Sequence, residues 1–247
     1  MARHARSRAT RRLSIDGESV VGREFVDLDV DVFTAARSEF RMCRFVGGRI
    51  TTAMFGAGGQ ASLYEDCVFD GAVIGHGDGR ARFFRCSFRG VELSDWETSA
   101  IEMVDCVFSG RLRGMVFYGQ LSGAYAISTG QRIVRMNEFR GNDFSEADLD
   151  HSAFRFGIDL AAQRLPDGPD YVYLADTTAA VRRVRPVVER WEHPRRREGE
   201  FMLDLLDREV SHGQVQTLIR HSEWQTRPGY GDVIELLAVA AGGGSSL

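Results

Sequence analysis

Four copies of a short phrase, a cysteine two residues ahead of a phenylalanine, constrain this 247-residue chain more than any other feature. They read Cys43-Arg44-Phe45, Cys67-Val68-Phe69, Cys86-Ser87-Phe88 and Cys106-Val107-Phe108, so the cysteines recur at intervals of 24, 19 and 20. A repeat of about 20 residues with a shorter period inside it marks a solenoid. The shorter period is five. Val20, Phe25, Val30, Ala35, Phe40, Phe45, Ile50 and Phe55 keep it without a break. It slips at Gly56-Ala57-Gly58-Gly59, resumes at Tyr64, Phe69 and Ile74, and slips again across 75–79. It returns at Phe83, Phe88, Leu93, Met103 and Phe108, and after an irregular stretch at Phe139, Phe144, Leu149 and Phe154. Two residues ahead of many of these sits a small one, such as Ser38, Cys43, Gly48, Ala53, Ala72, Ala81, Asn142 or Ser152.

Neither a helical period of 3.6 nor a strand period of 2 produces this pattern. A chain that turns a corner every five residues does. Each side then points one large and one small residue inward, four sides close a coil, and coils stack as parallel strands about 4.8 Å apart. Asn142-Asp143-Phe144-Ser145-Glu146-Ala147-Asp148-Leu149-Asp150 resembles the A(D/N)LxX repeat of the pentapeptide-repeat family, and the Cys-x-Phe coils are similar to its degenerate members. The resemblance covers about residues 20–160. It implies a right-handed quadrilateral β-helix, mainly β in class. The slips and the irregular residues 109–136 leave a three-sided coil, or loops projecting from the rod, as alternatives.

The expected organisation is a disordered basic arm at 1–14, the β-helix at 15–165, a helical C-terminal unit at 171–241 and a flexible tail at 242–247. Val181, Val184, Val187, Val188 and Trp191 form a helical stripe. His193-Pro194 is expected to end that helix. Phe201, Met202, Leu205, Leu206 and Val210 predict a second helix, Val215, Leu218 and Ile219 a third, and residues 233–241 a short fourth. Such a unit would cap the open end of the solenoid, which otherwise exposes strand edges.

The chemistry is sparse. All 31 basic residues are arginine, which excludes lysine nucleophiles, Schiff bases and a P-loop lysine. Cys43, Cys67, Cys86 and Cys106 fall one per coil, a line rather than the tetrahedral cage of a zinc site. They are expected to be a column of core thiols, free rather than disulfide-bonded because stacked Cβ vectors run parallel. Reduced thiols fit a cytoplasmic protein. No apolar run is long enough to span a bilayer, and no export signal is expected. The six histidines show no metal-binding spacing, so no metal and no cofactor is predicted. Asp66, Arg85 and Asp105 precede successive cysteines, so an Asp-Arg-Asp ladder on one outer face is expected to satisfy its own charges.

Some pentapeptide-repeat proteins resemble duplex DNA and bind DNA gyrase, protecting it from quinolones or toxins. The resemblance therefore implies a non-enzymatic, bacterial-type protein with a topoisomerase as partner, met through an acidic face of Asp143, Glu146, Asp148 and Asp150. Charge tempers that implication. Duplex DNA carries one negative charge per about 1.7 Å. A rod of about six coils spaced ~4.8 Å apart would need roughly 17 net negatives to match it. Residues 13–160 hold 15 arginines against 22 acids, a net −7. Direct nucleic-acid binding is expected only through the arm, which carries five arginines and no acid. Two other functions stand beside this one: an enzyme acting on a polysaccharide or small molecule at a groove near 109–136, and a self-assembling scaffold with a homodimer contact through the C-terminal helices.

Overall fold

The computed structural model describes residues 10–121, 136–225 and 228–242. Within them the chain coils into a parallel β-solenoid. One side is a seven-stranded parallel sheet built, in order, from Arg12–Asp16, Asp29–Ala36, Arg49–Met54, Val73–Asp78, Ser87–Ser94, Val107–Arg113 and Asp143–Asp150. A six-stranded sheet stacks Ser19–Val21, Glu39–Arg41, Ser62–Glu65, Ala81–Phe84, Ile101–Val104 and Phe139–Arg140. Register decides the number of sides. Ile15 pairs with Ala35, Val20 with Phe40, Phe25 with Phe45 and Val30 with Ile50. Four inward positions thus fall within one coil, which settles four sides over three.

The five-residue phase exists because these positions form columns. Phe25, Phe45, Phe69, Phe88, Phe108 and Phe144 stack face to face, with centroids 4.5–5.0 Å apart and planes 3–6° from parallel. The strand spacing sets that separation. A second column runs Val20, Phe40, Tyr64, Phe83, Met103, Phe139, and a third is aliphatic: Val30, Ile50, Ile74, Leu93, Leu112, Leu149. Each buried ring or branched side chain stabilises the rod by about 1.5–3 kcal/mol. Where Gly77 leaves a hollow, the fully buried Trp96 ring fills it, and a Cβ on that glycine would overlap the indole.

Corners need backbone turned into the left-handed region. Ahead of the cysteines, Met42, Asp66, Arg85 and Asp105 adopt φ of 51–54°, and Gly22 and Gly141 do the same in other coils at 63° and 67°. Non-glycine residues accept this at a cost of roughly 1–2 kcal/mol each, offset by closing the coil. The slips in phase have distinct origins. Tyr64 pairs with Phe40 across 24 positions rather than the 20 of the first coils, the extra residues being taken up by the exposed stretch 58–61. Across 75–79 the strand Val73–Asp78 holds its register on Arg49–Met54, and Phe83 then follows Ile74 by nine positions instead of ten. The described first part of the 109–136 stretch is regular: Val107–Arg113 continues the large sheet and Val116–Tyr118 pairs with Ala153–Arg155. Residues 122–135 lie outside the described ones, as do 1–9 of the arm and 243–247 of the tail. The first strand starts at Arg12, inside the span expected for the arm.

Beyond the solenoid the described residues form three α-helices, α1 (Thr177–Val188), α2 (Arg195–Ser211) and α3 (Pro228–Ala241). Asp176 caps α1 by accepting from Ala179 N at 2.8 Å. The expected stripe buries Val181, Val184 and Val188, but α1 ends at Val188, ahead of His193-Pro194. In α2 the buried residues are Gly199, Met202, Leu203 and Leu206, so Phe201 faces outward. The expected third helix is instead a strand. Thr217–Arg220 pairs antiparallel with Tyr171–Leu174, a strand that the sequence pattern does not reveal. Three apolar residues, Val215, Leu218 and Ile219, fit either period, and the partner strand decides between them. Val184, Val188, Met202, Leu203, Val233, Ile234 and Leu237 form a second core separate from that of the rod. No helix among the described residues is long and apolar enough to cross a membrane.

Candidate functional site

The cysteine column shows what the inward small position does. Each thiol is buried and free. Cys43, Cys67, Cys86 and Cys106 donate to the carbonyl oxygens of Val20, Phe40, Tyr64 and Phe83, the second-column residues of the coil below, at 3.3–3.6 Å. Two further coils continue the ladder with amides. Asn142 Nδ2 donates to Met103 O at 2.9 Å and Gln163 Nε2 to Phe139 O at 3.1 Å. At neighbouring corners hydroxyls serve the same purpose, Ser38 toward Ile15 O and Ser152 toward Leu112 O. The inward small position therefore satisfies a corner carbonyl that would otherwise be buried without a partner. Burial pushes the Cys43 and Cys86 thiols up, and the hydrogen bond to Cys86, then burial, does so for Cys67. These groups are proton donors of the core, without the thiolate that reactivity needs.

Outside, charge is arranged in compensated ladders. Arg37 grips Asp16, Arg44 meets Glu24 at 3.5 Å, and Arg41 lies between Glu39 and Glu65. The expected Asp66–Arg85–Asp105 ladder is half formed. Arg85 reaches to the coil below and holds Asp66 through Nε and Nη2, both at 2.7 Å, while also meeting Glu65 at 3.0 Å. Asp105 turns to Arg140, 3.8 Å away. The guanidinium keeps the Asp66 carboxyl below the usual range.

The four acids expected to form a partner-binding face all lie on the strand Asp143–Asp150, where Phe144, Ala147 and Leu149 point inward. Three of them are occupied. Asp143 meets Arg164 at 3.0 Å and accepts from the Ser145 amide and hydroxyl. Asp148 meets Arg220 at 2.7 Å. Asp150 is held by Arg111 and shares a hydrogen bond with His151 Nδ1 at 2.7 Å. The His151 bond, ahead of Arg111, holds the Asp150 carboxyl down. Glu146 is exposed. Arg220 comes from the C-terminal unit, so this strand serves as the seat of the cap. Sequence reasoning misses that role because the partner is remote along the chain and the contact is made only once.

Gln214 and Gln216 complete the seat. Buried Gln214 accepts from Gly157 N and Ile158 N and donates to Ile158 O and Gln216 O, at 2.8–3.1 Å. Gln216 accepts from Leu160 N at 2.6 Å. Glu223 accepts from His151 N at 2.6 Å, and burial raises its pKa. Asp150, His151 and Glu223 bring one ligand atom each within 4.8 Å of one another. Asp150 is already held there by Arg111 and Arg220, so the cluster is wired as a cap contact rather than as an open cation site.

Near the expected 109–136 groove, a cleft of about 320 Å³ lies against the six-stranded sheet, with Arg80, Arg82, Glu102, Leu121 and Asn137 among its lining. Arg82 meets the carboxylate of that lining, Glu102, at 3.7 Å, and also Glu138 at hydrogen-bond distance.

No family model and no curated protein matches the chain. Among solved structures it is similar to two trypsin-treated forms of QnrB1, a plasmid-mediated fluoroquinolone resistance protein. One is 15% identical over 62% of this chain and 77% of that one, with a TM-score of 0.35. The other is 16% identical over 62% and 79%, with a TM-score of 0.20. Likeness at that level adds no argument to the coil itself. Five-residue sides, four to a coil, each with a large residue pointing inward, make this chain a four-sided parallel β-solenoid.

Proposed function

We propose that the protein is a non-catalytic interaction module that offers the outer faces of its solenoid to a protein partner. The contrast between inside and outside carries this reading. Ring and thiol columns fill the interior, while paired charges repeat coil by coil on the surface. A frame fixed in this way has little conformational entropy left to lose on binding.

DNA gyrase is the favoured partner, as the pentapeptide pattern implies. Recognition in this reading relies on shape and mixed charge rather than on a bare acidic surface, because arginines occupy Asp143, Asp148 and Asp150. A supercoiling assay with purified protein, with and without a quinolone, tests it. Inhibition, protection or a stable complex is expected; absence of all three removes the topoisomerase. A homodimer through the C-terminal helices belongs to the same proposal, supported by Phe201 and Val239, which stay 54% and 50% exposed. Sedimentation should give a dimer that Phe201→Glu dissociates, and a monomeric wild-type protein would refute it.

A further inference from the structure

The two ends of the solenoid are finished differently. The C-terminal unit closes one of them. At the other, among the described residues, the strands Arg12–Asp16, Ser19–Val21 and Glu24–Val26 pair only with the coil that follows them. Unpaired backbone groups in such a row are a template for another strand. Arg23 O accepts from Arg44 N and Asp27 N donates to Val46 O, so by alternation the amides of Glu24 and Val26 point toward the open end. The end is acidic as well, with six acids and two arginines in residues 12–31. The next coil supplies Arg37 to Asp16 and Arg44 to Glu24, but Glu18 and Asp27 meet no arginine among the described residues. Val21 and Val26 stay 58% and 59% exposed beside them.

Where the described chain begins, it already runs along this edge. Arg11 O accepts from Asp31 N at 3.0 Å and Val32 N at 3.2 Å, Arg11 N donates to Asp31 Oδ2 at 2.7 Å, and the Arg11 guanidinium holds Asp29. Arg12 then pairs with Val32, one coil on. Carried back along the chain, the same offset brings Arg6 and Arg8 alongside the edge between Val26 and Asp29. Residues 1–9 contain Arg3, Arg6 and Arg8 and no acid. Nine residues reach about 30 Å, and the edge from Glu24 to Asp31 is roughly 26 Å long. A second copy seated there would set one acidic end against another. We propose that residues 1–9 are the N-terminal cap of the solenoid: an arginine-bearing strand added to the open edge at Glu24–Asp31, its charges answering Asp27 and the acids around it. The arm then serves the rod itself rather than nucleic acid, and its site stands apart from the outer faces offered to a partner.

Hydrogen exchange tests the cap, with the full chain compared against one lacking residues 1–9. In the full chain the amides of Glu24 and Val26 should exchange about tenfold more slowly or better, and roughly 0.5 M salt should remove most of that difference. A synthetic peptide of residues 1–9 should restore the protection to the shortened chain, and the same peptide carrying Arg3→Gln, Arg6→Gln and Arg8→Gln should not. If the shortened chain fails to fold, the full chain with Arg6→Glu and Arg8→Glu should lose the protection in the same way. Equal exchange in the two folded chains would overturn the cap, whether those amides lie open in both or are covered in both by a second copy. Full protection in the folded Arg6→Glu, Arg8→Glu chain would overturn it too.

Discussion

At the scale of single residues, the cysteines repay the closest attention. A thiol is a weak donor, yet here each one answers a corner carbonyl that water cannot reach. Where burial and the neighbouring thiols raise the pKa, the proton stays in place at neutral pH and well above. We therefore expect a thiol reagent at pH 8 to modify none of the four cysteines in the native protein and all four in denaturant; rapid labelling of the folded protein would show that the column is open. Phe88 sits between Phe69 and Phe108 at 4.7 and 5.0 Å. Phe88→Ala should cost about 3–5 kcal/mol in chemical denaturation, because parallel strands cannot collapse into the hole. A loss below about 1 kcal/mol would mean that the column is not continuous.

At the scale of elements, legibility in the sequence divides along a physical line. Columns are visible because every coil repeats the same inward demand, so Cys43, Cys67, Cys86 and Cys106 fall into step. A contact made once leaves no such trace. The strand Thr217–Arg220 shows only a short apolar run, and its identity depends on Tyr171–Leu174. Asp148 and Asp150 look like a free acidic face until Arg220 is placed against them. Gln214 is equally silent in sequence, although it holds the cap. Gln214→Ala should leave Gly157 N and Ile158 N without an acceptor, at about 1–3 kcal/mol each. Hydrogen exchange at those two amides should accelerate while Phe88 and Phe108 stay protected; unchanged exchange would place the attachment elsewhere.

The same junction titrates in two directions. Asp150 has a lowered pKa through His151 and Arg111, so its contribution is present above the ordinary carboxylate pKa of about 3.9. That contribution is lost as pH falls through the lower folded value. Glu223 has a raised pKa through burial, so ionising it costs stability as pH climbs from about 4.3 toward the folded value. Melting temperature against pH should therefore show a flatter acid limb for Asp150→Asn and a gain at pH 7 for Glu223→Gln that vanishes below about pH 4. Parallel curves for wild type and both variants would contradict the assignment.

At the scale of the whole molecule, the chain is a filled rod with compensated sides and a pinned cap. Its net charge of −4 is small for a 247-residue protein, and its acids and arginines meet across neighbouring coils. A surface of that kind binds through fit, whereas a duplex-like surface binds through charge density. Salt separates the two. A contact that replaces six to ten phosphates loses about 10³- to 10⁵-fold in affinity between roughly 50 and 200 mM salt. The decisive measurement is the equilibrium affinity of the purified protein for gyrase across that range. A saturable complex that weakens by less than about tenfold is the predicted result. No complex, or a loss of the size expected for a DNA mimic, would contradict the account.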